Sequence, residues 1–139
     1  MTIKNDINNK GLKMTRDKKY VDMMNQWFIL KQEGKGIEKY FQKNGYYSIA
    51  IYGMSIYGRH LVRELQGTDV NIVYGIDQKR MNPYKNIKVL QPFHELPDID
   101  VIVNTVIFEH TNIKKSLLEI TNSPVICLED IIFERYDLE

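Results

Sequence analysis

The chain has 139 residues, 19 of them basic and 18 acidic, for a net charge of +1. That length is about one domain, and 43% hydrophobic residues suffice for a core. So balanced a charge provides no field that would gather nucleic acid, the one cysteine, Cys127, rules out an internal disulfide framework or a multi-cysteine metal site, and no run nears the ~18 apolar residues of a membrane span.

Residues 1–15, MTIKNDINNKGLKMT, are polar, asparagine-rich and without period. They read as a disordered tail, because they offer too little apolar area to offset chain entropy. Residues 1–20 carry six basic and two acidic groups, and residues 92–139 three basic and ten acidic. A solvated tail is a better reading of the basic end than contact with RNA, lipid or an acidic partner, since no aromatic residue precedes Tyr20. The start has no apolar stretch of the secretory kind, so a soluble cytoplasmic protein without membrane insertion is expected.

From Arg16 to Gln32, Tyr20, Met23, Met24, Trp27, Phe28 and Leu30 recur at helical steps. This aromatic face either packs on the protein's own core or serves self-association or partner docking. Gly34 and Gly36 stop the helix. A second short helix, GIEKYFQKNG, ends at Gly45 and completes an N-terminal helical addition over 16–45.

The period then changes. Ser48–Tyr52 reads as a buried strand and Ile56–Gln66 as a helix, with Ile56, Leu61, Val62 and Leu65 inward. Val70–Ile76 is a second strand ending at Asp77, QKRMNPYKN a loop, and Ile87–Leu90 a third strand. QPFHELPDI is a connection with one helical turn, Val101–Val106 a fourth strand and Glu109–Ile120 a helix. Pro124–Leu128 is a fifth strand, with Cys127 a packed core thiol, and LEDIIFERY closes the chain as a helical turn. Short apolar strands alternating with helices imply crossovers and a parallel sheet covered on both faces. The expected fold is α/β: one Rossmann-like sheet of about five strands over 46–139, in the order 3-2-1-4-5.

The turn after the first strand, GMSIYG, carries the chemistry. Gly53 permits a backbone conformation that a Cβ would penalise, and Gly58 lets the helix lie close to the strand. Free amides at the helix start, around Ser55, Ile56 and Gly58, point from the sheet's carboxyl edge and favour an anion. Ser55 stands where a dinucleotide-binding turn has glycine. Its hydroxymethyl group crowds a pyrophosphate or donates to a phosphate, and a monophosphate or sugar nucleotide held at another angle is less affected. Asp77 follows Gly53 by 24 residues, near the ~20-residue spacing of the carboxylate that accepts from ribose hydroxyls. Arg80 leaves room for a phosphorylated ribose. The competing reading is a turn kept for packing, with Asp77 a strand-end cap.

These residues resemble a family of short Rossmann-like domains in bacterial surface-polysaccharide and sugar-biosynthesis proteins. The matching stretches are SIAIYGMSIYGRHLVRELQGTDVNIVYGIDQ, LPDIDVIVNTV and VICLEDII, spanning about Tyr46–Ile132, with a similar helical lead-in, WFILKQEGKGIEKYFQKNGY. The resemblance implies a unit beside a sugar-processing domain that binds a nucleotide, NAD or a nucleotide-sugar through Gly53, Gly58 and Asp77.

Other groups are weaker candidates. Tyr84 and Lys88 have the Tyr-x-x-x-Lys spacing of short-chain dehydrogenases, but lie in a loop running into a strand, where the pair cannot share a helix face. His60, His94 and His110 lack metal-ligand spacing. His110, beyond the fourth strand, is the best placed of them. Asn104 and Thr105 either touch a ribose or phosphate or cap the next helix. Tyr52 stands where a methyltransferase needs an acid, and no Gly-Lys-Ser/Thr follows the turn, so S-adenosylmethionine and P-loop readings fall away. The expected role is a nucleotide- or nucleotide-sugar-binding accessory or regulatory module. Two alternatives stand beside it: a ligand-free scaffold or homo-oligomerisation domain that docks a protein partner through its N-terminal helices, and a small NAD-dependent oxidoreductase using His110 or Tyr84.

Overall fold

The structure is a computed structural model; it describes residues 3–137, with side-chain detail over 14–135. Five strands form one parallel sheet in the order β3-β2-β1-β4-β5: β1 Ser48–Tyr52, β2 Asn71–Ile76, β3 Val89–Leu90, β4 Val101–Asn104 and β5 Val125–Cys127. The helices are α1 Ile3–Gln32, α2 Glu38–Asn44, α3 Ile56–Leu65, α4 His110–Leu118 and α5 Leu128–Asp137, with a 3-10 turn at Ile107–Glu109 before α4.

Alternation along the strands divides the core in two. Ile49, Ile51, Val101, Val103 and Cys127 face one layer, where α1, α2, α3 and α5 supply Met23, Trp27, Leu30, Phe41, Leu61 and Ile131. Ala50, Tyr52, Tyr74, Ile76, Ile102 and Val125 face the other, closed by Ile113 and Leu117 of α4 and by Leu96. Cys127 is buried, and burial pushes its thiol up to about 11, so it is a core residue. β1 and β2 slip register between Ile49 and Ala50, leaving Val73 unpaired and exposed as a bulge.

Several boundaries differ from the sequence reading. The stretch read as a disordered tail is helical from Ile3, while residues 1 and 2 lie outside the described residues. No proline interrupts it, and extending a nucleated helix adds a hydrogen bond per residue without a new nucleation cost. The connection Gln91–Ile99 contains no helix. Pro92 and Pro97 remove backbone donors there, and the segment is pinned by Tyr74, whose hydroxyl donates to the Pro97 carbonyl at 2.6 Å, and by Leu96, whose amide donates to the Ile120 carbonyl. β4 stops at Asn104, not Val106, because the Asn104 side chain takes over the pairing: its Oδ1 accepts the Val106 amide at 2.9 Å.

Candidate functional site

The carboxyl edge of the sheet is built around Gly53–Gly58. Gly53 has φ +88°, and a Cβ there would stand 2.5 Å from Thr105 Oγ1. At Gly58 a Cβ would run into the Gly53 carbonyl oxygen, so the helix approaches the strand end as closely as the fingerprint requires. Met54, fully buried, lies over Gly75 and anchors the turn in the core. Thr105 Oγ1 donates toward the Tyr52 and Gly53 carbonyls at 2.8 and 2.9 Å, tying the end of β4 to the turn.

Asp77 is held against this turn. Its Oδ2 accepts the Met54 amide at 3.0 Å and its Oδ1 accepts the Lys79 amide at 3.0 Å. Each carboxylate oxygen keeps a lone pair for a further donor. Ser55 and Ile56 are both exposed at the start of α3, and Ser55 makes no side-chain capping bond. Among the described residues, no acceptor is assigned to the amides of Ser55, Ile56 and Tyr57. Outside them lies a cleft of about 380 Å³ bordered by Arg59, Arg63 and Met81. Arg59 is fixed there, donating to the Met54 carbonyl at 3.3 Å with its guanidinium 4.7 Å over the Tyr84 ring.

Across the edge, on the α4 side, is a crevice of about 330 Å³ bounded by Tyr52, Gln78, Phe93, Asn112 and Ser116. Burial raises the Tyr52 pKa against the opposing effect of its hydrogen bond with Gln78, and Asp77 adds to the rise. Asp77 therefore stands between crevice and turn.

The switch point between β1 and β4, where strand order reverses, is occupied by the protein itself. Tyr20 of α1 stacks on Tyr57 of α3, with ring centroids 4.5 Å apart and planes 14° from parallel. Burial raises the Tyr20 pKa, while the backbone N–H groups of Ile107 and Phe108 favour its ionised form. The Tyr20 oxygen thus faces the start of the 3-10 turn after β4, where an anion would otherwise be favoured. Lys19 pairs with Glu129 of α5 at 3.0 Å and holds α1 in this position.

The sequence-predicted residues sort accordingly. Gly53, Ser55, Ile56, Gly58 and Asp77 come together. Asn104 and Thr105 do not face the edge; both are buried and bonded to the turns on either side. His110 Nδ1 accepts from Asn104 Nδ2 at 3.0 Å, which leaves a neutral ring's proton on Nε2. Desolvation lowers the His110 pKa. Tyr84 pairs with Ile87 across a tight turn whose central residues, Lys85 and Asn86, have φ 48° and 66°. Tyr84 and Lys88 accordingly lie at a hairpin and not on a helix. His60 is exposed on α3, with Arg63 Nη1 3.3 Å from its Nδ1, and His94 is exposed in the connection. Sequence reasoning missed Tyr20 at the edge and Gln78, Asn112 and Ser116 in the crevice. No local pattern marks these, since they meet only through the crossovers.

No protein-family model matches this chain, and no curated protein is similar enough to count as a relative.

Proposed function

We propose that this protein binds a nucleoside phosphate or nucleotide-sugar at the carboxyl edge of its sheet, between the turn after β1 and the crevice on the α4 side. It acts as an accessory or regulatory module in sugar or polysaccharide metabolism, a setting that rests on the sequence resemblance alone. The observation that carries the binding reading is the unpartnered pair of amides at Ser55 and Ile56 beside a carboxylate fixed on the same turn. The amides and the flanking Arg59 and Arg63 suit a phosphate. Asp77 suits a ribose hydroxyl pair, and the crevice beside Gln78 has room for a base. A dinucleotide spans both halves of such a sheet. With Tyr20 and Tyr57 stacked over the β4 half, one nucleotide fits and a second does not.

Thermal unfolding with AMP, ADP, UDP-sugars, CDP-sugars and NAD tests this. A ligand at ten times its Kd adds about 1.4 kcal/mol, a rise of roughly 3–6 °C for a chain of this size. The expected result is a rise with a mononucleotide or nucleotide-sugar that Asp77→Asn weakens, since asparagine still accepts from Met54 but takes hydroxyl protons poorly. Flat curves with every compound would remove the reading.

A further inference from the structure

α1 carries two apolar faces: one is buried in the protein's core, and of the other only Met24 packs partly against that core. Tyr20, Met23, Trp27 and Leu30 point into the core. Successive helix residues are turned by about 100°, so Val21, Met24 and Phe28 form a second face next to the first. On it Met14, Val21 and Phe28 recur every seven residues and are 71%, 65% and 63% exposed. None of the described side chains from Met14 to Lys18 is buried. A seven-residue repeat is the period that keeps one stripe against a second helix along its length. A helix that only covered its own sheet would need no second stripe.

We propose that this face pairs with α1 of a second copy of the chain, antiparallel, about a two-fold axis at Met24. The charges choose both occupant and direction. Asp17 and Lys31 lie on the same face, seven residues before and after Met24. Antiparallel pairing sets Asp17 opposite the partner's Lys31 on both sides of the axis. It also sets Met24 against the partner's Met24 and Val21 opposite the partner's Trp27, one residue from Phe28. A parallel pair would bring Asp17 to Asp17 and Lys31 to Lys31, which repels. One surface meeting its own copy is the form a two-fold dimer requires. The receiving wall exists: Met24, Trp27, Phe28 and Lys31 of α1 and His60 and Arg63 of α3 line a mostly apolar cleft of about 280 Å³. About the axis at Met24 its wall at Trp27 and Phe28 stands opposite the partner's Tyr20 and Val21, of which Val21 is the exposed side chain that enters it. Lys31 also lies 3.3 Å from Glu64 of its own chain, and its side chain is 62% exposed, so it stands at the rim. The pairing does not rest on the nucleotide reading, since it is argued from the outer face of α1, although His60 and Arg63 border both clefts.

Sedimentation velocity of the full chain, with circular dichroism as a folding check, tests the proposal. The wild-type chain is expected to sediment as a dimer and Val21→Lys as a folded monomer. Because Val21 makes no core contact, the variant should retain its melting profile up to the loss of association. In a second variant, Met24→Cys, oxidation should give a covalent dimer, since the native thiol Cys127 is buried. Adding Val21→Lys should suppress that crosslink. A wild-type monomer at up to about 0.1 mM would overturn the proposal, as would a dimer untouched by Val21→Lys. A Met14→Cys chain that crosslinks would overturn the antiparallel arrangement, which sets residue 14 opposite residue 34 of the partner and far from its own copy.

Discussion

At Gly58 the backbone of α3 passes so close to the Gly53 carbonyl that there is no volume for a methyl group. The obstacle is backbone and cannot rotate away, so Gly58→Ala is expected to destabilise the protein by about 3 kcal/mol, as overpacking at a rigid site does. Equilibrium denaturation with urea measures this, and a change within 0.5 kcal/mol, the ordinary range of a surface substitution, would show that the turn has slack. Gly53, Gly58 and Asp77 were legible in the sequence because a turn from strand to helix imposes local demands: one positive φ, one close approach, one acceptor at the next strand's end. Asn104 and Thr105 were not. Their type suited a ligand and a cap equally. What decided was the distance from Thr105 to the Tyr52 and Gly53 carbonyls, more than fifty residues away in sequence.

Helix α1 acts on the site through Tyr20, and this follows from where it crosses the sheet. Its buried stripe docks on α5 and on the 3-10 turn after β4, so the residue one helical turn before Met24 meets the edge. Tyr20→Ala would uncover the β4 half. The expected outcome is that NAD, which leaves the wild-type melting temperature no higher than AMP does, raises that of the variant above the AMP value. Equal shifts would mean that the second half is closed by something other than this ring. The elements themselves were readable from periodicity, β1 to the residue. The errors came where a side chain or a proline competes with the ladder, at Asn104, which ends β4, and at Pro92 and Pro97, which keep Gln91–Ile99 out of a helix, and at the amino end, where α1 runs back to Ile3 through residues read as a disordered tail.

Over the whole molecule, the sheet is clamped at its amino edge by Asp100. Its Oδ2 accepts the Tyr47 and Ser48 amides at 2.8 and 2.9 Å, and these bonds hold its pKa below the ordinary aspartate range. A carboxyl depressed in the folded state binds fewer protons than it does unfolded. Its stabilisation is therefore present above the unfolded value, about 4, and is lost as pH falls through the folded one. Asp100→Asn should be less stable than the wild-type chain at pH 7 and approach it in acid. Parallel stability curves from neutral pH to about pH 2 would show that the clamp contributes nothing. Composition, strand periodicity and the spacing of Gly53, Gly58 and Asp77 determined by themselves that the chain is α/β, that its sheet runs 3-2-1-4-5, and where its glycine turn from strand to helix stands. Hydrophobic alternation and turn geometry are short-range properties, so one sequence displays them. Which parts of the edge stay open was decided only by the tertiary structure, because Tyr20, Tyr57, Ile107 and Asp77 come from four separate segments. Their meeting depends on how α1 lies across the sheet, and no spacing along the chain encodes that.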